Sequence, residues 1–158
     1  MDEKVHKKLT EADDPVHWEM PPTFAWKTEI ARVKSRKSSL EAVVGHALEL
    51  NENIQDAAHF AELAWLTGPD EHKARPHQEI LSYVAIRFSA FGRFATIWGN
   101  VAELPISDSL LLKLTDALTD AGYVPIPIAD LNERYDGGNQ YAESIETWWY
   151  RYFDYCRS

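Results

Sequence analysis

The sequence has only one cysteine, Cys156, so an internal disulfide is excluded and nothing indicates an oxidising compartment. It also has no run of apolar residues close to the roughly 20 that a membrane-spanning helix needs. A basic segment followed by an apolar one, typical of a secretion signal, is missing from the first residues. We therefore expect a cytoplasmic protein that does not associate with a membrane.

Sequence motifs that carry catalysis or bind a cofactor are also missing. The chain has no Gly-x-Ser-x-Gly, no phosphate-binding P-loop and no Gly-x-Gly-x-x-Gly. Its only cysteine follows a run of aromatic residues, where a partly buried thiol is the ordinary interpretation. We therefore assign no catalytic residue and no cofactor, and we favour a protein without enzymatic activity.

A metal site has only partial support from the histidines. Asp56, His59 and Glu62 follow one another at intervals of three residues, and His46 and Glu49 have the same spacing. We predict that both segments are helical, and di-metal sites in helix bundles use such pairs of carboxylate and histidine, drawn from four helices. A solvated helix face explains the same spacing, so we assign no metal ligand.

Positive charge is scarce in most of the chain. Residues 38–158 contain 18 Asp or Glu and only 8 Lys or Arg, whereas residues 1–37 are nearly balanced. Because nucleic-acid binding depends on contacts from Lys and Arg to phosphates, we expect no nucleic-acid partner. An acidic domain is better suited to a basic protein partner, although the same net charge also serves solubility alone.

Aromatic and β-branched residues are abundant, most clearly in residues 80–99. Two such runs flank Ser89-Ala90-Phe91-Gly92, so we predict a β-hairpin with a four-residue loop. Neither face of these two strands is fully polar. We therefore expect both faces of the sheet to be covered.

Helices are predicted before the hairpin. Residues 1–22 mix charges with three prolines and predict a flexible N-terminal segment. Residues 23–36 fit either a helix or a strand, and we favour the helix. Two further helices, from Ser38 or Ser39 to Leu50 and from Glu52 to Leu66, are predicted to form a helical pair that packs on the sheet.

After the hairpin, leucines recur at helical spacing over about 108–121, and Gly122 follows the end of this helix. Residues 123–128 have prolines at alternate positions, which is typical of an edge strand. Residues 141–156 predict a C-terminal helix with aromatic side chains in nearly every direction. Together these elements predict a single α+β domain over residues 23–158, with a small, mainly antiparallel sheet built on the hairpin.

The candidate binding residues are arginines of the hairpin, residues beside a glycine-rich turn, and aromatic residues. They are Arg87, Arg93, Trp98, Tyr135, Asp136, Trp149 and Tyr152. Tyrosine and tryptophan are enriched in the centres of protein interfaces. We therefore favour a domain whose acidic, aromatic-bearing surface binds a basic protein and neutralises or regulates it.

Two alternatives stay open at this point. A pocket between the sheet and the helices could hold an anionic small molecule, with Arg87, Arg93 or Arg134 binding the anion. In that alternative His46 or His59 would act as a base. A homodimer joined through the C-terminal helix is compatible with either function.

Overall fold

The computed structural model describes residues 1–69, 81–100 and 104–154. The helices in these residues are α1 (Glu3–Ala12), α2 (Trp26–Val44), α3 (Asp108–Asp120), α4 (Ile128–Leu131) and α5 (Trp148–Tyr152). The strands are β1 (Glu49–Asn51), β2 (His59–Pro69), β3 (Leu81–Ser89), β4 (Phe94–Gly99) and β5 (Val124–Pro125). A short 3-10 helix, Ala142–Ser144, precedes α5.

The strands form one sheet in the order β1-β2-β3-β4-β5. Strands β1 to β4 are antiparallel to their neighbours, and β5 runs parallel to β4. The register places Leu50, Leu63, Ile86 and Ile97 in one row across four strands. The predicted hairpin and the mainly antiparallel sheet of a single α+β domain are confirmed, with the hairpin loop one residue later than expected.

Both faces of the sheet are covered, as the sequence predicts. The face that carries the aliphatic row packs against α2 and α3, which also contact each other. On the opposite face, the ring of Phe94 packs against Tyr152 of α5, with 5.1 Å between ring centroids. Leu9 of α1 is fully buried and joins the same core. The sheet therefore lies between two helical layers, with apolar side chains on each side.

Two helices precede the sheet, but they do not consist of the residues that we predicted. Helix α2 runs without a break from Trp26 to Val44, so the helix favoured for residues 23–36 is confirmed and merges with the next one, which was predicted wrongly to reach Leu50, a residue of strand β1. The helix predicted over Glu52–Leu66 is wrong, because most of that segment is strand β2. Residues 59–65 are all buried in the middle of the sheet, so they lack the polar alternation of a half-exposed strand. The alanines among residues 59–65 also favour a helix, so the local sequence does not distinguish a helix from a buried strand.

The N-terminal segment, predicted to be flexible, contains helix α1. The side chain of Asp2 caps this helix by accepting a hydrogen bond from the backbone N–H of Lys4 at 2.8 Å. Leu9 is the one fully buried residue of this helix. Val5 and Ala12 pack beside Leu9 at helical spacing, so the sequence does contain the apolar stripe of this helix, which the charges and prolines of residues 1–22 obscured.

In the C-terminal half, helix α3 agrees closely with its sequence pattern, whereas the last predicted helix does not. Helix α3 begins after Ser107, whose Oγ accepts a hydrogen bond from the N–H of Leu110 at 3.1 Å. Gly122 follows the helix with a φ of 86°, as a glycine at this position should. Helix α5 is shorter than predicted and begins only after Thr147, whose hydroxyl accepts a hydrogen bond from the N–H of Tyr150. The last residues of the predicted helix, including Cys156, lie outside the described residues.

Candidate functional site

Arg87 and Trp98, two of the candidate binding residues, meet at a buried carboxylate. The register pairs Glu62 with Arg87, and Arg87 Nε donates a hydrogen bond to Glu62 Oε2 at 2.7 Å. The indole Nε1 of Trp98 donates to the same oxygen at 3.1 Å. The hydroxyl of Tyr83 donates to the other carboxylate oxygen. The positive charge of Arg87 therefore compensates the negative charge of Glu62, and the carboxylate accepts hydrogen bonds from three donors.

The guanidinium of Arg87 also joins the sheet to the C-terminal helix. Its Nη1 donates to the carbonyl oxygen of Phe153 at 2.6 Å. Its Cζ lies 3.9 Å from the ring centroid of Trp98 and 5.3 Å from that of Trp149, in cation–π contacts. Arg87 is only 7% exposed. These contacts make it a link between sheet and helix rather than a residue that faces solvent.

The two histidines proposed as bases occupy different environments. His59 is buried, and this burial, together with the positive charge of Arg87, lowers its pKa to about 3. A histidine with that pKa is a poor base near neutral pH. His46 is exposed beyond the end of α2. Among the described residues, no group of three or more His, Cys, Asp or Glu side chains could hold a metal ion.

Tyr135 and Tyr152 belong to a second buried cluster, centred on Asp13 and Arg151. Arg151 Nε donates to Asp13 Oδ1 at 2.7 Å, and the hydroxyl of Tyr135 donates to Asp13 Oδ2 at 2.5 Å. The hydroxyl of Tyr152 donates to the carbonyl oxygen of Leu9 at 2.6 Å. Burial is the main reason why the pKa values of both tyrosines are raised. This cluster holds the N-terminal and C-terminal helices together.

The two remaining candidates lie apart from these clusters. Asp136 is exposed and pairs with His6, with Oδ1 3.0 Å from Nε2. Arg93 lies in the hairpin loop, and its Nη2 is 3.5 Å from Glu29 Oε1. A cleft of about 370 Å³ beside Arg93 also contains this carboxylate. The seven candidates are therefore divided between two buried clusters and two separate exposed positions.

An apolar groove that the sequence analysis did not predict lies between α3 and the β5 edge of the sheet. It has a volume of about 220 Å³. One wall comes from Leu111, Thr115 and Leu118 of α3, and the other includes residues 125–129. We call this the α3 groove. Its surface is almost entirely apolar, which suits an apolar group better than a polar substrate.

The two hydroxyl groups that line the α3 groove are already engaged. The hydroxyl of Thr96 donates to the carbonyl oxygen of Ile126 at 2.9 Å, and that of Thr115 donates to the carbonyl oxygen of Leu111 at 2.9 Å. Neither threonine therefore has a hydroxyl proton left to orient a substrate in the groove.

Beside the groove, α3 exposes an apolar side chain between two acidic ones. Leu112 is 65% exposed, and Leu111, at the rim of the groove, is 37% exposed. Asp108 and Asp116 are exposed four residues before and four residues after Leu112. This spacing puts the three on one side of the helix. We call Asp108, Leu112 and Asp116 the acidic row.

A signal for this surface is present in the sequence. Leu110, Leu111 and Leu112 are consecutive, and consecutive positions on a helix point about 100° apart. The three leucines therefore cannot all face the core. Leu114 and Leu118 are the buried residues of α3, and Leu111 lies at the rim of the groove. Correct use of the helical period would have pointed to Leu112 as exposed, whereas Leu111 shares a face with Leu114 and Leu118.

Comparison with known proteins adds no assignment, since no family model, no curated protein and no solved structure matches this chain. Within the described ranges, none of the helices combines the length and the apolar character needed to cross a bilayer. Any functional conclusion therefore depends on the surface of the molecule itself.

Proposed function

We propose that this chain is a non-catalytic domain that binds a basic protein, and that it binds through the α3 groove. The observation that carries this proposal is the α3 groove itself, an apolar surface with the exposed Leu111 at its rim and the exposed Leu112 at the next position of α3. An apolar surface of this kind beside charged residues is typical of a protein-interaction site. We also propose the cytoplasm as its location, because the sequence has a single cysteine.

The acidic character of the chain supports a basic partner. Residues 104–154, which contain α3 and one wall of the groove, have nine Asp or Glu and three Lys or Arg. One of those three, Arg151, is buried against Asp13. Complementary charge speeds association and suppresses wrong partners, so this surface favours a protein rich in Lys and Arg.

The enzyme alternative receives less support. Arg87 is buried against Glu62, and His59 is neutral and buried. Arg93 is exposed, but the cleft beside it holds the carboxylate of Glu29, which would repel an anion. Arg134 is exposed and pairs through its backbone with Thr147. Arg87 lies near enough to His59 to lower its pKa, but both side chains are buried, so this pair offers an anionic substrate no open site.

A homodimer joined through α5 stays a prediction. Tyr152 is fully buried within the chain, and its ring packs on Phe94. Trp149 and Tyr150 are the aromatic residues of α5 that are partly exposed. A dimer through this helix would therefore rest on those two side chains, whereas the α3 groove presents a continuous apolar surface.

The proposal is tested by selecting random peptides that bind the immobilised protein and then measuring their affinities for variants. We expect the Leu112→Gln variant to bind the selected peptides about tenfold more weakly, because one exposed leucine is worth roughly 1.5 kcal/mol of apolar contact. Val16→Gln is the matched control, since Val16 is 53% exposed outside the groove. Selected peptides that bind both variants equally well would overturn the proposal.

A further inference from the structure

We infer that the α3 groove and the acidic row receive a basic amphipathic helix of the partner, lying along α3. This inference rests on the proposed function, because it names the structure and the charge of the segment that the groove binds. Two features of the site carry it: the edge strand opposite α3 cannot pair with another strand, and exposed carboxylates border the exposed leucine.

The edge of the sheet beside the groove cannot accept an extended peptide as a further strand. The N–H groups of Val124 and Ile126 point toward β4, where they donate to the carbonyl oxygens of Arg93 and Ala95. The residues that alternate with them, Pro125 and Pro127, have no N–H group to offer to the outside. Strand addition would therefore leave backbone groups of the incoming peptide without partners.

A helix avoids this difficulty because its backbone hydrogen bonds are internal. It docks through side chains alone, as amphipathic helices do in apolar grooves. The exposed side of α3 offers apolar side chains for such a helix to contact. Leu111 lies at the rim of the groove, and Leu112 is exposed at the next position. A partner helix parallel or antiparallel to α3 would place one apolar side chain in the groove and another on Leu112.

The acidic row defines the charge pattern of the partner. Asp108 and Asp116 are eight residues apart, which on a helix rising about 1.5 Å per residue is roughly 12 Å. Among the described residues, neither Asp108 nor Asp116 takes part in an ion pair. The partner helix should therefore carry Lys or Arg at positions seven or eight residues apart on one side of the helix, before and after the apolar residue that contacts Leu112.

The test uses four synthetic peptides about 15 residues long. The first is a basic amphipathic helix with this pattern, and the second replaces its two paired lysines with glutamate. The third has a proline in the middle, and the fourth is a scrambled sequence of the same composition. Affinities are measured by titration calorimetry at low and high salt. We expect the first peptide to bind at least about tenfold more tightly than the other three, with weaker binding at high salt.

Charge reversal on the protein distinguishes a specific site from general attraction to an acidic surface. Asp116→Lys is expected to weaken the first peptide about tenfold. Glu143→Lys is the matched control, because Glu143 is exposed on the 3-10 helix and the substitution changes the net charge equally. Circular dichroism verifies that both variants fold. Equal weakening by both variants, or equal binding of the helical and proline peptides, would overturn the inference.

The two proposals fail in different ways. Suppose that the randomly selected peptides depend on Leu112 but are neutral or rich in proline. The groove is then a protein-binding site, and the inference about a basic helix is wrong. If neither the selected peptides nor the designed helix depends on Leu112, both proposals are wrong.

Discussion

Individual residues of this protein affect the stability of the fold most where they carry a buried charge. Glu62 and Asp13 each lie in the interior with an arginine within hydrogen-bonding distance. Each carboxylate also accepts hydrogen bonds from other donors. A buried ion pair with its hydrogen bonds complete is tolerated, but removing one partner leaves an uncompensated charge. These residues therefore serve the fold, although their chemistry resembles that of an active site.

His59 should make stability depend on pH. Its pKa is about 3 in the folded protein and near 6.5 when unfolded, so the unfolded state binds more protons between these values. The contribution is fully present above about pH 6.5 and is lost as the pH falls toward 3. Denaturant unfolding of the wild type and His59→Leu at several pH values should show a steeper loss in the wild type, by up to about 1.4 kcal/mol per pH unit.

The exposed His46 provides the control for this measurement. His46→Gln should keep the pH dependence of the wild type, because it leaves the buried His59 in place. Identical slopes for the wild type and His59→Leu would show that His59 is not held neutral in the folded state.

Among the secondary structure elements, α3 is the one that its own sequence specifies most completely. Ser107 caps its start, leucines at helical spacing face the core, and Gly122 follows its end. The same helix carries the acidic row on its exposed side. Local and tertiary requirements agree in α3, which is why its bounds were predicted to within one residue at either end.

Gly122→Ala should destabilise the protein by roughly 1–2 kcal/mol, because Gly122 has a φ of 86° and a Cβ is disfavoured in that conformation. Thermal or urea unfolding measures the change. Gly138→Ala is the matched control, since Gly138 has no positive φ of this kind and an added Cβ would meet no atom within 4 Å. We expect the control to change stability by less than about 0.5 kcal/mol. Equal losses of stability in the two variants would show that the positive φ of Gly122 is not the cause of the destabilisation.

Strand β2 is the opposite case, in which tertiary structure overrides local preference. Its alanines and the spacing of Asp56, His59 and Glu62 favour a helix when read alone. In the structure β2 pairs with β1 on one side and β3 on the other, and helices cover both faces. Burial on both faces removes the alternation by which a strand is recognised.

On the scale of the whole molecule, the two ends of the chain are joined by the ion pair between Asp13 and Arg151. Arg151 is fully buried, and its guanidinium also donates to the carbonyl oxygens of Trp18 and His17. The first 22 residues thus supply acceptors for a charge on the last helix. This arrangement predicts that the N-terminal segment and the sheet unfold together.

Asp13→Asn should lower the free energy of unfolding by about 3–5 kcal/mol, because it leaves the buried guanidinium of Arg151 without a counter-charge. Urea unfolding at neutral pH, followed by tryptophan fluorescence, measures the loss. Asp136→Asn is the control, since Asp136 is exposed and its pair with His6 should contribute less than about 1 kcal/mol. If residues 1–22 were only a loosely attached segment, Asp13→Asn would leave the unfolding midpoint unchanged.

The sequence by itself determined the features that depend on neighbours along the chain. These are the hairpin, helix α3 with its cap and its glycine, the edge strand with its prolines, and the acidic balance. The acidic balance follows from composition alone, and each of the other features depends on backbone preference or on a short repeat of apolar residues.

Only the tertiary structure decided which residues meet across the chain. The pairs Glu62–Arg87 and Asp13–Arg151 join residues 25 and 138 positions apart, and no local pattern indicates such partners. The α3 groove likewise forms between a helix and a strand edge that become neighbours only on folding. Burial on both faces, long-range ion pairs and the shape of the surface are properties of the packed chain, so the sequence pattern could not reveal them.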